Sequence, residues 1–309
     1  MGCCKSKEKV PKETKGAVQV GCVCENNTPQ LHIDKEPKPV TSVPLETEKP
    51  DPEYRDGKWY YKNGDIYEGI MKEGKYEGYG IFTGKSGYCC EATFAGGEAY
   101  GQAKITSVDG STYEGNTRKS KRHGQGKYVS HEGWKYEGNY INNMQHGMGT
   151  YTWIDGDRYE GFFRNDDFDG KGKIIFTNGS TIEGTWKKGN QVGRIISRTV
   201  VPAIDPKEVN TISDAWFKKG EKNGMGYTYR KRVDGSIEEV RGTWKNGELH
   251  GYCVIKINDT VFYEGLFENG YAVGSKYRFK DSDNKLKKKE FSCDLSSDEV
   301  SSSKESSSL

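Results

Sequence analysis

The residues that could carry chemistry stand first at the amino end, Met1-Gly2-Cys3-Cys4-Lys5-Ser6. Removal of Met1 exposes the Gly2 amine, with Ser6 where an N-myristoylation pattern wants Ser or Thr, and Cys3 and Cys4 are placed for S-palmitoylation. Lys5, Lys7, Lys9, Lys12 and Lys15 follow against Glu8 and Glu13. One myristoyl chain binds a bilayer only marginally, and a second signal makes attachment stable. Residues 1–15 are therefore read as a lipidation motif (Gly2 N-myristoyl, Cys3 and Cys4 S-palmitoyl) with a basic stretch.

The remaining reactive side chains point away from catalysis. His123, His146 and His250 each precede a glycine at the same place in a repeating pattern. Standing a full repeat or more apart, they form neither a triad nor a ligand set. Glu68, Glu91, Glu114, Glu137, Glu160, Glu183 and Glu264 also recur with the pattern. Two strand spacings, about 10 Å, would separate successive members, which is a solvated row and no acid–base pair. The eight cysteines lack zinc spacing or a disulfide framework, and Cys22-Val23-Cys24 alone is half a zinc site. No nucleophile elbow, P-loop or dinucleotide fingerprint is present. The expectation is no enzyme, no cofactor and no metal site.

Basic residues recur between the periodic stretches: Arg118, Lys119, Lys121 and Arg122, Lys187 and Lys188, Lys218, Lys219 and Lys222, and Arg230-Lys231-Arg232. Loops of stacked units line up along a rim, so these are candidates for anionic phospholipid. With 47 basic and 45 acidic residues the net charge is +2, which exerts no global pull toward nucleic acid. No run of 18 apolar residues marks a transmembrane helix, and no apolar leader marks secretion. A reduced, cytosolic chain is expected.

A repeat positions these residues. Copies of Tyr-Glu-Gly-x-aromatic begin at Tyr67, Cys90, Tyr113, Tyr136, Tyr159 and Ile182, each 23 residues after the last. Looser copies begin at Ile212, Val240 and Tyr263, with spacings of 30, 28 and 23. A fixed period means stacked units. Structural positions of the repeat are the leading tyrosine (Tyr67, Tyr113, Tyr136, Tyr159, Tyr263) and the glycine two residues on (Gly69, Gly115, Gly138, Gly161, Gly265). An aromatic four residues on, including Trp186, Trp216 and Trp244, shares their strand face. A second strand opens with Gly-x-Gly, as in Gly147 and Gly149. Glycine weakens a strand, so a neighbouring ring is expected to lie across these backbones where a Cβ would collide. Asn63-Gly64, Ser86-Gly87, Asp109-Gly110, Glu132-Gly133, Asp155-Gly156 and Asn178-Gly179 read as type I′ turns between units.

The pattern, best seen in Tyr136-Glu137-Gly138-Asn139-Tyr140 with His146-Gly147-Met148-Gly149, resembles the MORN repeat (membrane occupation and recognition nexus) over about residues 57–280. Departures are Cys90 for Tyr, Ala92, Ala103 and Asp214 for Gly, and Cys253 and Lys276 for the second Gly. The resemblance implies an all-β fold, an elongated, twisted single-layer antiparallel sheet of stacked hairpins. About nine units are expected, with an insertion near 200–206, between a disordered linker at 16–56 and a disordered Lys- and Ser-rich tail at 281–309. It also implies a membrane-anchored scaffold or adaptor on the cytosolic face of a plasma, cortical or ciliary membrane, holding an unidentified protein or the cytoskeleton. The alternative is a targeting subunit of a phosphoinositide kinase or other enzyme acting in trans, or a phosphoinositide-binding module.

Overall fold

A computed structural model describes residues 52–200 and 211–273, and the backbone of 276–280 and 286–290. Twenty strands form one open antiparallel sheet. They are β1 (Glu53–Arg55), β2 (Lys58–Tyr60), β3 (Ile66–Lys72), β4 (Lys75–Thr83), β5 (Cys89–Ala95), β6 (Glu98–Thr106) and β7 (Thr112–Arg118). Next come β8 (Lys121–Val129), β9 (Lys135–Ile141), β10 (Met144–Thr152), β11 (Arg158–Arg164), β12 (Asp167–Ile175), β13 (Thr181–Lys187) and β14 (Asn190–Thr199). The sheet ends with β15 (Thr211–Lys218), β16 (Glu221–Lys231), β17 (Ile237–Lys245), β18 (Glu248–Ile257), β19 (Thr260–Glu268) and β20 (Tyr271–Val273). Each strand pairs with the one before and after it in sequence. A separate ladder joins β21 (Lys276–Lys280) to β22 (Leu286–Glu290), so a strand stands inside the stretch read as tail. β1 likewise stands inside the stretch read as linker, 16–56, and the rest of the linker and of the tail lies outside the described residues.

The glycines divide into two kinds, and this corrects the sequence reading. The second glycine of each pair is the one under a ring. A Cβ on Gly149 would come within 2.5 Å of the Tyr136 hydroxyl, and on Gly138 within 2.6 Å. Tyr67 lies likewise over Gly69 and Gly80, Tyr113 over Gly115 and Gly126, and Tyr159 over Gly161 and Gly172. The ring belongs to the first strand itself and spans its own glycine and the glycine paired with it. Each tyrosine hydroxyl donates to the carbonyl three residues on: Asn116 at 2.6 Å, Asn139 at 3.0 Å, Phe162 at 3.1 Å and, from Tyr263, Leu266 at 3.0 Å. The last unit departs from the paired-glycine rule on its other side. Gly265 stands opposite Cys253 in the β18–β19 ladder, as Ala215 stands opposite Ile195, where the units from Cys90 to Ile182 and the unit at Val240 set a glycine or alanine across from their own. The first glycine of each pair does other work. Gly147 has φ +66°, its nearest neighbour to a Cβ is Asn139 at 3.5 Å, and the β9–β10 register shifts there. It makes the bulge that lets a nine-residue strand pair with a seven-residue one.

Units that lack the tyrosine fill the same volume differently. Cys90 goes with Ala92 and Ala103, paired across the ladder. In the unit at Ile182, Ile195 replaces the second glycine and its Cδ1 occupies the space over Gly184. In the unit at Val240, the Cys253 sulfur does so over Gly242. Ring-on-ring contacts continue the core, among them Tyr159 stacked on Phe168 at 3.7 Å and Tyr159 edge-on to Trp186 at 5.4 Å. Trp186 and Trp244 are buried, as their position in the repeat predicts.

Two further expectations are corrected. The unit placed at Ile212 starts one residue later: Ser213, Ala215 and Phe217 face the core, and Trp216 is 53% exposed. A one-residue slip sends every side chain of a strand to the opposite face. The glycine position of this unit is therefore Ala215, and Asp214 lies outside. The type I′ turns are also on the other rim. Both central residues have positive φ at Lys119-Ser120, Asn142-Asn143 and Asn165-Asp166, inside units. In the inter-unit loops only the glycine does, as at Gly87, Gly110 and Gly156. There the chain makes a five-residue loop around a type I turn, with Gly87 N–H donating to the Gly84 carbonyl at 2.9 Å.

The tight turns are clasped to one another. Asn143 N–H donates to the Arg122 carbonyl at 3.0 Å, and Arg122 N–H returns a bond to Asn143 Oδ1 at 2.8 Å. Asp166 repeats this on Gln145, donating at 3.2 Å and accepting at 2.7 Å. Burial is the main reason the Asp166 carboxyl titrates above its ordinary 3.8, against the Gln145 N–H bond and the Arg122 charge. A raised carboxyl favours the protonated fold, so its contribution is best below pH 3.8 and worsens as pH rises through the folded pKa. Asp166→Asn, which copies Asn143, should raise the melting temperature at pH 7 and lose that advantage below pH 3.8. A variant equally stabilised at both pH values would rule this out.

Candidate functional site: the outer face and its rims

With rings and glycines turned to one face, the opposite face is left for contact. Its first row holds the recurring glutamates, and the ladder sets lysines directly across from them. Lys104 pairs with Glu91 and Glu114, Lys127 with Glu114 and Glu137, and Lys173 with Glu160 and Glu183. Opposite charges across a ladder stabilise it modestly. No two of these carboxylates are juxtaposed, so the row has no acid–base geometry.

The next row is set by the middle residue of each Gly-x-Gly and the fourth position of the first strand. Over β6–β9 it is an amide ladder. Gln102 donates to Asn116 at 3.3 Å and Gln125 to Asn139 at 2.9 Å. Over β15–β19 it turns apolar: Trp216, Met225, Tyr252 and Leu266 are all more than half exposed, Met225 at 72%. Tyr252 and Leu266 are direct ladder partners. Trp216 lies over Gly224, where a Cβ would stand 3.1 Å from its own. Arg194, the ladder partner of Trp216, holds Asp214 in a two-pronged ion pair at 2.8 and 2.5 Å. That pairing lowers the Asp214 carboxyl below its ordinary range. Tyr252 donates to Glu264. The sequence reading missed this row, although Gly224-Met225-Gly226 and Gly251-Tyr252-Cys253 carried the signal: the residue between the glycines always faces out.

The basic candidates separate on the structure. Arg118, Lys119, Lys121, Lys187, Lys188, Lys218 and Lys219 lie on the tight-turn rim, while Arg230 to Arg232 lie at the opposite one. Asp166, Asp167 and Asp169 interrupt the tight-turn rim between its basic groups, with Arg164 held by Asp169 at 3.5 Å. Arg122 must be withdrawn as a lipid contact. It is 2% exposed, its guanidinium donates to the Asn143 carbonyl at 2.8 Å, and it packs 5.2 Å from the Tyr128 ring and 5.0 Å from that of Tyr140. It takes the position at which Phe168 stacks on Tyr159 two units later. Lys222 lies 5.5 Å over the Trp244 ring.

His123, His146 and His250 stand one per hairpin beside the bulge glycines, each with its Nδ1 buried and unpartnered. Among the described residues no group of three or more His, Cys, Asp or Glu could hold a metal ion. Burial pushes the Cys90 thiol up to about 11, which makes it a poor nucleophile. Among the described residues no helix is long and apolar enough to cross a membrane. Gly2, Cys3 and Cys4 lie outside them.

A search of curated proteins returns no match. Among solved structures, the chain is 12% identical to the TCP10 domain of Danio rerio CPAP in complex with a peptide of Danio rerio STIL, covering 66% of this chain and 100% of that one at a TM-score of 0.23. The same domain without the peptide gives 12% identity, 68% and 99% coverage and a TM-score of 0.24. A streptogramin B lyase gives 13% identity, 81% and 86% coverage and a TM-score of 0.16. The MORN repeat family matches residues 67–87, 113–135, 136–158, 159–181 and 241–259. Those five stretches of the chain are similar to the MORN repeat.

Proposed function

We propose that the protein is a non-enzymatic scaffold, anchored by acyl groups on Gly2, Cys3 and Cys4 to the cytosolic face of a membrane, whose MORN sheet holds a protein partner there. The observation that carries this is the apolar row of Trp216, Met225, Tyr252 and Leu266. Inner packing does not need these side chains exposed, and contiguous exposed apolar surface on a soluble fold marks a contact site. The row takes its apolar members from β15, β16, β18 and β19, with Thr243 between them on β17, and strands about 4.8 Å apart suit the apolar stripe of a helix with its 5.4 Å pitch. Lipidation and the sheet then act together, since a partner met at the membrane is met at high effective concentration.

Trp216→Ser with Met225→Ser should abolish capture of the partner that proximity labelling finds on the wild type. Surface changes of this sort move stability by roughly 0.5 kcal/mol each, so the melting temperature should shift little. A variant that folds normally and still labels the same partner would remove the row from the proposal.

A further inference from the structure

The first strand of each unit ends on a residue that faces outward beside the tight turn, and in six units that residue is basic: Lys72, Arg118, Arg164, Lys187, Lys218 and Lys245. The unit that begins at Tyr136 breaks this pattern. Its first strand ends on Ile141, whose ladder partner is Met144. On the same face Met148 is the ladder partner of Phe162. All four are more than a third exposed: Ile141 40%, Met144 37%, Met148 52% and Phe162 44%. The fold asks for no apolar group at Ile141, since six other units manage there with lysine or arginine. Exposed apolar side chains grouped on three adjacent strands mark a contact patch, and methionine adapts to the shape of what it meets. On one side of the patch, Arg118 on β7, Lys121 on β8 and Lys119 in the turn between them are exposed, and among the described residues none of the three is in an ion pair. Glu114, further along β7, is already opposed by Lys104 and Lys127. On the other side the charge is balanced: Arg164 is held by Asp169 and stands across from Asp167.

We infer that this patch is a second docking site, for a short peptide segment of a partner protein that combines bulky apolar residues with a run of carboxylates. The apolar side chains seat on Ile141, Met144, Met148 and Phe162, and the carboxylates lie over Arg118, Lys119 and Lys121. Complementary charge beside an apolar contact speeds encounter and fixes register, and here it sets the acidic end of the segment over β7–β8. The patch is about five strand spacings, roughly 24 Å, from the row of Trp216, with Lys171 and Arg194 between them. The inference rests on the proposed reading of the outer face as a docking face, but uses none of the same residues.

The test selects peptides from a random displayed library on the full-length wild-type protein, then measures the selected peptides singly by fluorescence anisotropy. They should carry two or more bulky apolar residues beside a run of Asp or Glu. Ile141→Lys with Met144→Glu copies the ladder pairs Lys218–Glu221 and Lys245–Glu248, so its melting temperature should shift little. It should weaken these peptides by on the order of tenfold or more. Lys119→Glu with Lys121→Glu should weaken them at low salt and much less at high salt. Used as bait, that variant should select basic peptides in their place. Trp216→Ser with Met225→Ser should bind the acidic peptides as the wild type does. Peptides lost by the Trp216 variant and kept by the Ile141 variant would overturn the inference and leave the proposed function standing. A wild type that selects no acidic-apolar peptide would overturn it as well. Sedimentation with phosphatidylserine vesicles that only the Ile141 variant loses would then assign the patch to a bilayer instead.

Discussion

Gly149→Ile should cost the sheet about 3 kcal/mol or more, whereas Gly147→Ala, two residues away, should cost about 1–2 kcal/mol. The two glycines differ in what a side chain would meet. At Gly149 it meets the Tyr136 ring, whose hydroxyl is within 2.5 Å and which is fully buried. At Gly147 it meets Asn139 at 3.5 Å, an ordinary van der Waals contact, and only the left-handed backbone at φ +66° objects. The protein also shows how to repair the first. The unit at Ile182 carries isoleucine at both places, Ile182 and Ile195, and buries both. Tyr136→Ile combined with Gly149→Ile should therefore recover a large part of the loss, a coupling that a double-mutant cycle in urea would measure. If Gly149→Ile melts at the wild-type urea concentration, the ring does not occupy that space. If the double variant is no better than the single, the two positions do not trade volume.

The second large effect concerns location. Gly2→Ala should move the protein from the membrane pellet to the soluble fraction of its own cells. Acyl transfer needs the exposed Gly2 amine, and without transient bilayer contact Cys3 and Cys4 would rarely meet a palmitoyl transferase. Cys3→Ser with Cys4→Ser should leave a single chain, whose attachment is marginal and reversible, with an association constant of about 10⁴ M⁻¹. The expected series is firm, weak and soluble. A Gly2→Ala protein that stays in the pellet at moderate salt would place the attachment in the sheet or a partner, and the anchor reading would fall.

Much of this architecture is legible in the residues, and the failures have identifiable causes. A 23-residue period, tyrosine and glycine two apart and a paired Gly-x-Gly specify hairpins and their inner face, because alternation along a strand leaves no other arrangement. The phase holds from Tyr67 to Ile182. It breaks at the segment before β15, where added residues uncouple the count from the pleat, and Trp216 turned outward. It is restored by Tyr263 and Gly265, whose ring is buried and bonded as in the early units. Turn chemistry misled in a different way. Asp-Gly and Asn-Gly favour type I′, but each glycine fits equally at the end of a type I turn, and loop length decided between them. Lys119 and Ser120 adopt φ of 53° and 55° with no glycine to announce it. Arg122 sits inside because three tyrosines surround it, a contact that spans two units and leaves no mark in either alone. The outer row required asking which residues the repeat leaves free rather than which it fixes.

The strictly sequential pairing of the twenty strands has a mechanical consequence. A pull between the two ends of such a sheet loads the terminal strand first, and its ladder opens one hydrogen bond after another, as a zip does. Each regular unit that gives way releases 23 residues, about 80 Å of extended chain, while the units behind it keep their rings and turns. Clasped turns such as Asn143 on Arg122 raise the force needed to pass from one unit to the next, so yielding proceeds in steps. A protein held at one end and gripping a partner at the other would lengthen under tension without letting go, and would close again in order when the tension falls.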